Sequence, residues 1–239
     1  MQDHGEPIVG KDLQQQVTLI ERLLPLYAEL QRKTADLTDR WLAAGVPDRS
    51  PQRLPTLLEG LLAGRGRTGP LPIEADELAR LARVVDAFAR VCDLLGDGRV
   101  VCAIDHADIH GTNVLLGDSG PRLIDWGDSC IGHPFTSLLV PVEWVAGRLG
   151  SDERTRAVAR LIDAYIESRG DDDDHVTLGH AVWVGYVARA VSNDEQCAGA
   201  SPGDIADARR EIVALLRTWR DKRALLGRPQ ELLVPGMPW

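Results

Sequence analysis

His106, Asp108, His110 and Asn113 crowd into one short stretch of this chain, and Asp125 and Trp126 follow after a gap of hairpin length. An aspartate and an asparagine on a loop entering a strand, with a second aspartate returning across a hairpin, bring three proton-accepting or metal-friendly groups to one rim. Such a set suits phosphoryl transfer from ATP. One carboxylate positions and deprotonates an attacking hydroxyl, while an asparagine oxygen and a second carboxylate hold magnesium against the phosphates. Magnesium prefers hard oxygen donors of this kind. A rival chemistry is written in the same residues, because His106, Asp108 and His110 alternate as metal ligands can. A hydrolytic site of that type would want further histidines at ligand spacing, and none is evident.

The strands that must present this rim are short. Residues 100–104 form an apolar run of strand character, and Asn113 to Leu116 and Arg122 to Asp125 read as two strands joined by a turn at Gly117 to Gly120. Helices flank the patch on both sides. Apolar residues in steps of three and four, from Val17 and Ile20 through Tyr27 to Leu37 and Trp41, predict a helix from about Asp12 to about Ala44, which Pro25 should kink or break. Gly45 and Pro47 stop it. Leu54 to Leu62 predict a short helix and Ile73 to Leu95 a longer one; after Thr136, helices are expected over about 137–149, 152–168, 176–192 and 203–225. The first ten residues, with Gly5, Pro7 and Gly10, read as a strand end or turn. The expected fold class is mainly α (α+β), helical with a small β-hairpin patch carrying the reactive loops.

Composition narrows the classes of function. The chain has 239 residues and a formal charge of -9. It has no Lys/Arg-rich stripe, which argues against a nucleic-acid partner. No apolar run is long enough to cross a membrane, and the N-terminus lacks a basic start and an apolar core, so a cytoplasmic location is expected. Cys92, Cys102, Cys130 and Cys197 include no Cys-x-x-Cys pair and are expected to be reduced and partly buried.

From His106 to Asn113 the chain resembles the catalytic loop of aminoglycoside phosphotransferases and their choline- and homoserine-kinase relatives, usually His-Gly-Asp-Leu-His-x-x-Asn. Ile124-Asp125-Trp126 resembles their metal-binding Ile-Asp-Trp. Tyr27 to Gln31, Gly45-Val46-Pro47-Asp48-Arg49 and Gly132-His133-Pro134-Phe135 also resemble bacterial members, so the likeness covers nearly the whole chain. The resemblance implies a protein-kinase-like C-terminal lobe that uses ATP and Mg2+ to phosphorylate a hydroxyl of a small polar or cationic molecule. It makes Asp108 the catalytic base, Asn113 and Asp125 magnesium ligands, His106 the brace of the loop and Trp126 a packing residue beside the metal. His110 is either part of the substrate-side surface or a structural histidine. Residues 1–10 resemble the hinge that follows the family's ATP-clasping lobe, and 11–239 the catalytic and acceptor-binding lobe. No glycine-rich hairpin or strand lysine precedes Asp108, so the nucleotide-binding residues are unassigned and an N-terminal lobe is a possible missing partner.

Two positions depart from the family pattern. Ala107 stands where the family has glycine. Ser137 stands where it has an aspartate thought to tie down the catalytic loop; a hydroxyl does this less strongly, which predicts a looser loop. The alternative reading is a non-catalytic kinase-like module that binds a metabolite or a protein, or an isolated lobe fragment. The remaining candidates are given ordinary roles: His133, His175 and His180 as surface or helix residues, Asp171 to Asp174 as a solvated loop, and Trp144, Trp183 and Trp219 as core.

Overall fold

In the computed structural model, which describes residues 5–97, 99–169 and 175–226, α1 (Leu13–Lys33) begins where the Asp12 carboxylate accepts the Gln15 amide. Its buried stripe includes Val17, Ile20, Leu24 and Tyr27, as the periodicity predicts. Pro25 lies inside α1 without ending it. One backbone bond is lost there, and packing of the buried stripe keeps the two halves in line. The expected helix is instead cut further on. Thr34 donates both its amide and its hydroxyl to the Leu30 carbonyl, and after a 3-10 turn at Ala35–Leu37 a separate short α2 (Thr38–Ala43) follows.

α3 (Leu54–Leu62) and α4 (Ala75–Leu95) form close to the expected positions, as do α5 (Leu139–Ala146), α6 (Ser151–Arg169), α7 (His175–Glu195) and α8 (Pro202–Lys222). α8 opens on a capping box in which Ser201 and Asp204 bond reciprocally. α1 packs on α6, and α7 packs on α8. The core of the second pair is aromatic: Trp183 and Trp219 stack at 5.4 Å, and Phe88 of α4 meets both rings edge-on. Among the described residues no helix is long and apolar enough to cross a membrane.

The β patch is two small antiparallel sheets. β1 (Glu6–Pro7), β3 (Val114–Gly117) and β4 (Gly120–Leu123) lie in the order β1-β3-β4, and β2 (Ala103–Asp105) pairs with β5 (Cys130–Gly132). The β3–β4 register pairs Val114 with Leu123 and Gly117 with Gly120, which leaves a tight turn closed by Gly120 at φ 108. The sequence reading missed β5, three residues too short to show a period. The Asp171 to Asp174 run lies outside the described residues.

Candidate functional site

The hairpin places the two ends of the site together. Asn113 immediately precedes β3, Asp125 follows shortly after β4, and the Ile124 amide donates to the Asn113 carbonyl at 3.0 Å, extending the ladder toward the loop. Asp125 then adopts the left-handed conformation at φ 61, which turns the chain into a 3-10 segment at Trp126–Asp128. Its side chain is exposed and meets no partner among the described residues.

The loop before β3 is built from short side-chain-to-backbone bonds. The His106 Nδ1 accepts the Asp108 amide at 3.3 Å while its Nε2 donates to the Ile124 carbonyl at 2.9 Å. His106 is fully buried and meets Trp126 edge-on at 4.7 Å. It thus ties the loop to the far side of the hairpin. His110 is held the same way, its Nδ1 accepting the Thr112 hydroxyl at 2.8 Å and its Nε2 donating to Asp108 Oδ2 at 3.0 Å. His106 and His110 therefore bond to different partners. Among the described residues no three His, Cys, Asp or Glu side chains gather as a ligand set, so the alternating pattern does not form a three-residue metal centre.

Asp108 is the meeting point. Its Oδ2 accepts from His110 and, at 2.8 Å, from Asn113 Nδ2, which also donates to the Asp108 carbonyl at 3.0 Å. The Asn113 amide nitrogen is thereby spent on Asp108, and its Oδ1 keeps only a long 3.5 Å contact with the Thr112 hydroxyl. The other Asp108 oxygen, Oδ1, pairs with Arg189 of α7 at 2.9 Å. Arg189 also donates to the Ala107 carbonyl at 2.7 Å and lies 3.5 Å from Asp128. Nothing in the sequence singled out Arg189: it sits in a helix, far along the chain from the loop, with no motif around it.

Arg189 also lines a cavity of about 520 Å³ between α5, α7 and α8. Leu139, Val140 and Leu215 supply apolar wall, Trp144 and Tyr186 aromatic wall, and Glu211 an acidic lip. Trp144, expected in the core, is half-buried here with Arg148 over its ring at 4.3 Å. Tyr186 bonds to Glu143; burial first, and then the Glu143 charge, push its phenol far above the ordinary range. α7 and α8 supply most of the cavity wall, with α5 completing it.

Behind the loop lies a buried polar cluster. Tyr27 accepts the His106 amide at 2.8 Å, and Gln31 donates to the Ile104 carbonyl at 2.8 Å. Burial, followed by the nearby Asp105 charge, raises the Tyr27 phenol well above its usual value. Ser137 is 3% exposed and donates to Asp105 at 2.8 Å. Arg49, also 3% exposed, pairs with Glu195 at 2.7 Å and donates to the Asp128 carbonyl at 3.1 Å, fastening the 3-10 segment to α7. His133 is not the surface residue expected. It is 1% exposed, its Nδ1 caps the Phe135 amide at 3.3 Å, and burial, then Arg169, hold it down to about 3.

Among curated proteins none matches the chain by sequence. Two solved structures are similar over much of it. An ethanolamine kinase from Plasmodium vivax has a TM-score of 0.47 and 15% identity, over 74% of this chain and 51% of the other. A choline/ethanolamine kinase family protein from Mesorhizobium loti has a TM-score of 0.40 and 18% identity, over 81% of this chain and 73% of the other. The chain thus spans about half the length of the Plasmodium vivax enzyme. The model of the phosphotransferase enzyme family matches residues 4–179, more than half of the chain and all of the loop, hairpin and 3-10 segment just described. The chain therefore belongs to the phosphotransferase enzyme family.

Proposed function

We propose that this chain carries the catalytic and acceptor-binding part of an ATP-dependent phosphotransferase of the aminoglycoside phosphotransferase type, acting on a hydroxyl of a small polar or cationic molecule. One observation carries the reading. Asp108 is held on one side by Asn113 and His110, and on the other by Arg189, which lines the cavity between α5, α7 and α8. An acceptor seated in that cavity is one guanidinium away from the carboxylate. Asp108 accepts the hydroxyl proton; His110 and Asn113 hold it in place. His106, packed on Trp126, keeps the loop against the hairpin.

The donor chemistry of the rim fits magnesium. Asn113 Oδ1 and the Asp125 carboxylate, which has no partner among the described residues, are hard oxygen donors placed at the two ends of one hairpin, and the Asn113 nitrogen is already committed elsewhere. These two residues would hold the ion, which when bound offsets the charge of the transferring phosphate.

Calorimetry with MgATP, followed by turnover with hydroxylated amines, tests the reading. Magnesium-dependent nucleotide binding and a loss of at least about a thousandfold in turnover for Asp108→Asn are expected. Normal turnover of that variant would end the assignment.

A second reading, a binding module without catalysis, is favoured by one feature: both oxygens of Asp108 are engaged within the chain. Absence of MgATP binding in the same calorimetry would support it or an isolated lobe fragment.

A further inference from the structure

Asp105 ends β2, directly before the loop, and is 4% exposed. Its Oδ1 accepts the Ala107 amide and the Ser137 hydroxyl, each at 2.8 Å, and its Oδ2 accepts the Thr136 hydroxyl at 2.8 Å. A buried carboxylate is tolerated only where donors surround it, and here three converge from two different elements.

The bond to Ala107 has a particular consequence. Ala107 stands at φ 62, in the left-handed region that a residue with a Cβ enters at a cost. Both sides of this residue are clamped: its amide by Asp105, and its carbonyl by Arg189 at 2.7 Å. The next residue is Asp108, so the Ala107 conformation decides where that carboxylate points.

Residues 105 and 137 also touch side chain to side chain across the interface between β2 and the 3-10 turn at Pro134–Leu138. That contact needs one carboxylate and one hydroxyl, and nothing in it dictates which side supplies which. We propose that Asp105 is the positioning residue of the loop, holding Ala107 left-handed and so aiming Asp108. In this arrangement the carboxylate stands on β2 and the hydroxyl on the 3-10 turn, whereas the family pattern has its aspartate at the position of Ser137. Under this proposal the looser loop expected from Ser137 does not follow, because the anchoring charge is present and comes from β2. Only the turnover part of this proposal rests on the phosphotransfer reading.

The test is a cycle on the full chain: wild type, Asp105→Ser, Ser137→Asp, and both together. Asp105→Ser removes the charge, and Ser137→Asp sets a second carboxylate against the first in a buried site. Each single change should lower the thermal midpoint by about 5–10 °C, and the double change should regain at least half of the larger loss. Should Asp105→Ser fail to fold, Asp105→Asn serves in its place. Turnover well below each midpoint separates positioning from mere support. Single variants should lose kcat with KM for MgATP unchanged, and Ala107→Gly should restore kcat in the Asp105→Ser background, since glycine enters the left-handed region unaided.

The proposal is overturned if Ser137→Asp melts like wild type, or if the double variant is no more stable than the worse single one. It is equally overturned if Asp105→Ser turns over normally. A wild-type chain without turnover would count against phosphotransfer, while the midpoints would still decide which side supplies the charge.

Discussion

Replacing Arg189 with methionine should separate the loop from the cavity. Methionine keeps most of the aliphatic stem and removes the fork that bonds Asp108 Oδ1 at 2.9 Å and the Ala107 carbonyl at 2.7 Å. Bonds to a charged group contribute about 1.5–3 kcal/mol each when sheltered. Arg189 is 26% and Asp108 18% exposed, so water recovers part of that on loss of the contact. A net loss of about 2–3 kcal/mol follows, or about 5–10 °C in melting temperature for a chain of this size. Turnover should fall about a hundredfold, because a displacement of about 1 Å in a reacting group has that effect. Arg189→Lys keeps the charge but not the fork and should lie between the two. Differential scanning calorimetry and steady-state kinetics measure both quantities. If Arg189→Met melts within about 1 °C of wild type, the fork contributes nothing and the argument is wrong.

Other outcomes follow from groups away from the loop. His133 is ordinarily protonated below 6.5 but is held to about 3 in the fold, so the unfolded chain binds the extra proton between those values. Stability contributed by neutral His133 is present above 6.5 and lost as pH falls, by about 2 kcal/mol at pH 5. His133→Asn, which keeps an acceptor for the Phe135 amide, should melt with a weaker acid dependence between pH 7 and about pH 5, and an unchanged dependence would refute this. Burial pushes the Cys92 and Cys130 thiols up to about 12 and Cys102 up to about 11. In the native chain at neutral pH these three should react with a disulfide reagent far more slowly than in denaturant; equal rates would contradict the burial. Asp194 accepts the Arg67 amide at 2.8 Å in a part-buried bond, and the Thr68 amide at 2.8 Å and hydroxyl at 2.6 Å in buried ones. Asp194→Ala should therefore cost about 3 kcal/mol in urea unfolding, whereas a change under about 1 kcal/mol would show that the loop finds other partners.

Much of the site was legible because its signals are local. Asp108, His110 and Asn113 bond mainly within their own stretch, each through a neighbour or a residue a few positions on, and such turn chemistry leaves a compact signature. The hairpin was legible for the same reason, being closed by a tight turn. The error at α1 has the opposite origin. Helical period continues past Lys33, but the Thr34 hydroxyl takes the Leu30 carbonyl and ends the helix. Trp144 and His133 were misjudged because type and period say that a side chain is apolar or polar, not what stands opposite it. Trp144 faces a cavity, and His133 is sealed beneath Phe135 and Arg169.

By itself the sequence determined the family, the mainly helical plan and the order of reactive groups along the loop and hairpin. Only the tertiary structure decided what those groups face. Arg189 reaches Asp108 across 81 positions of chain, and Ser137 reaches Asp105 across 32, because α7 and the 3-10 turn at Pro134–Leu138 pack against the loop from behind. Contacts of that span carry no periodicity and no motif, since the physical requirement is a distance in space rather than a spacing in sequence.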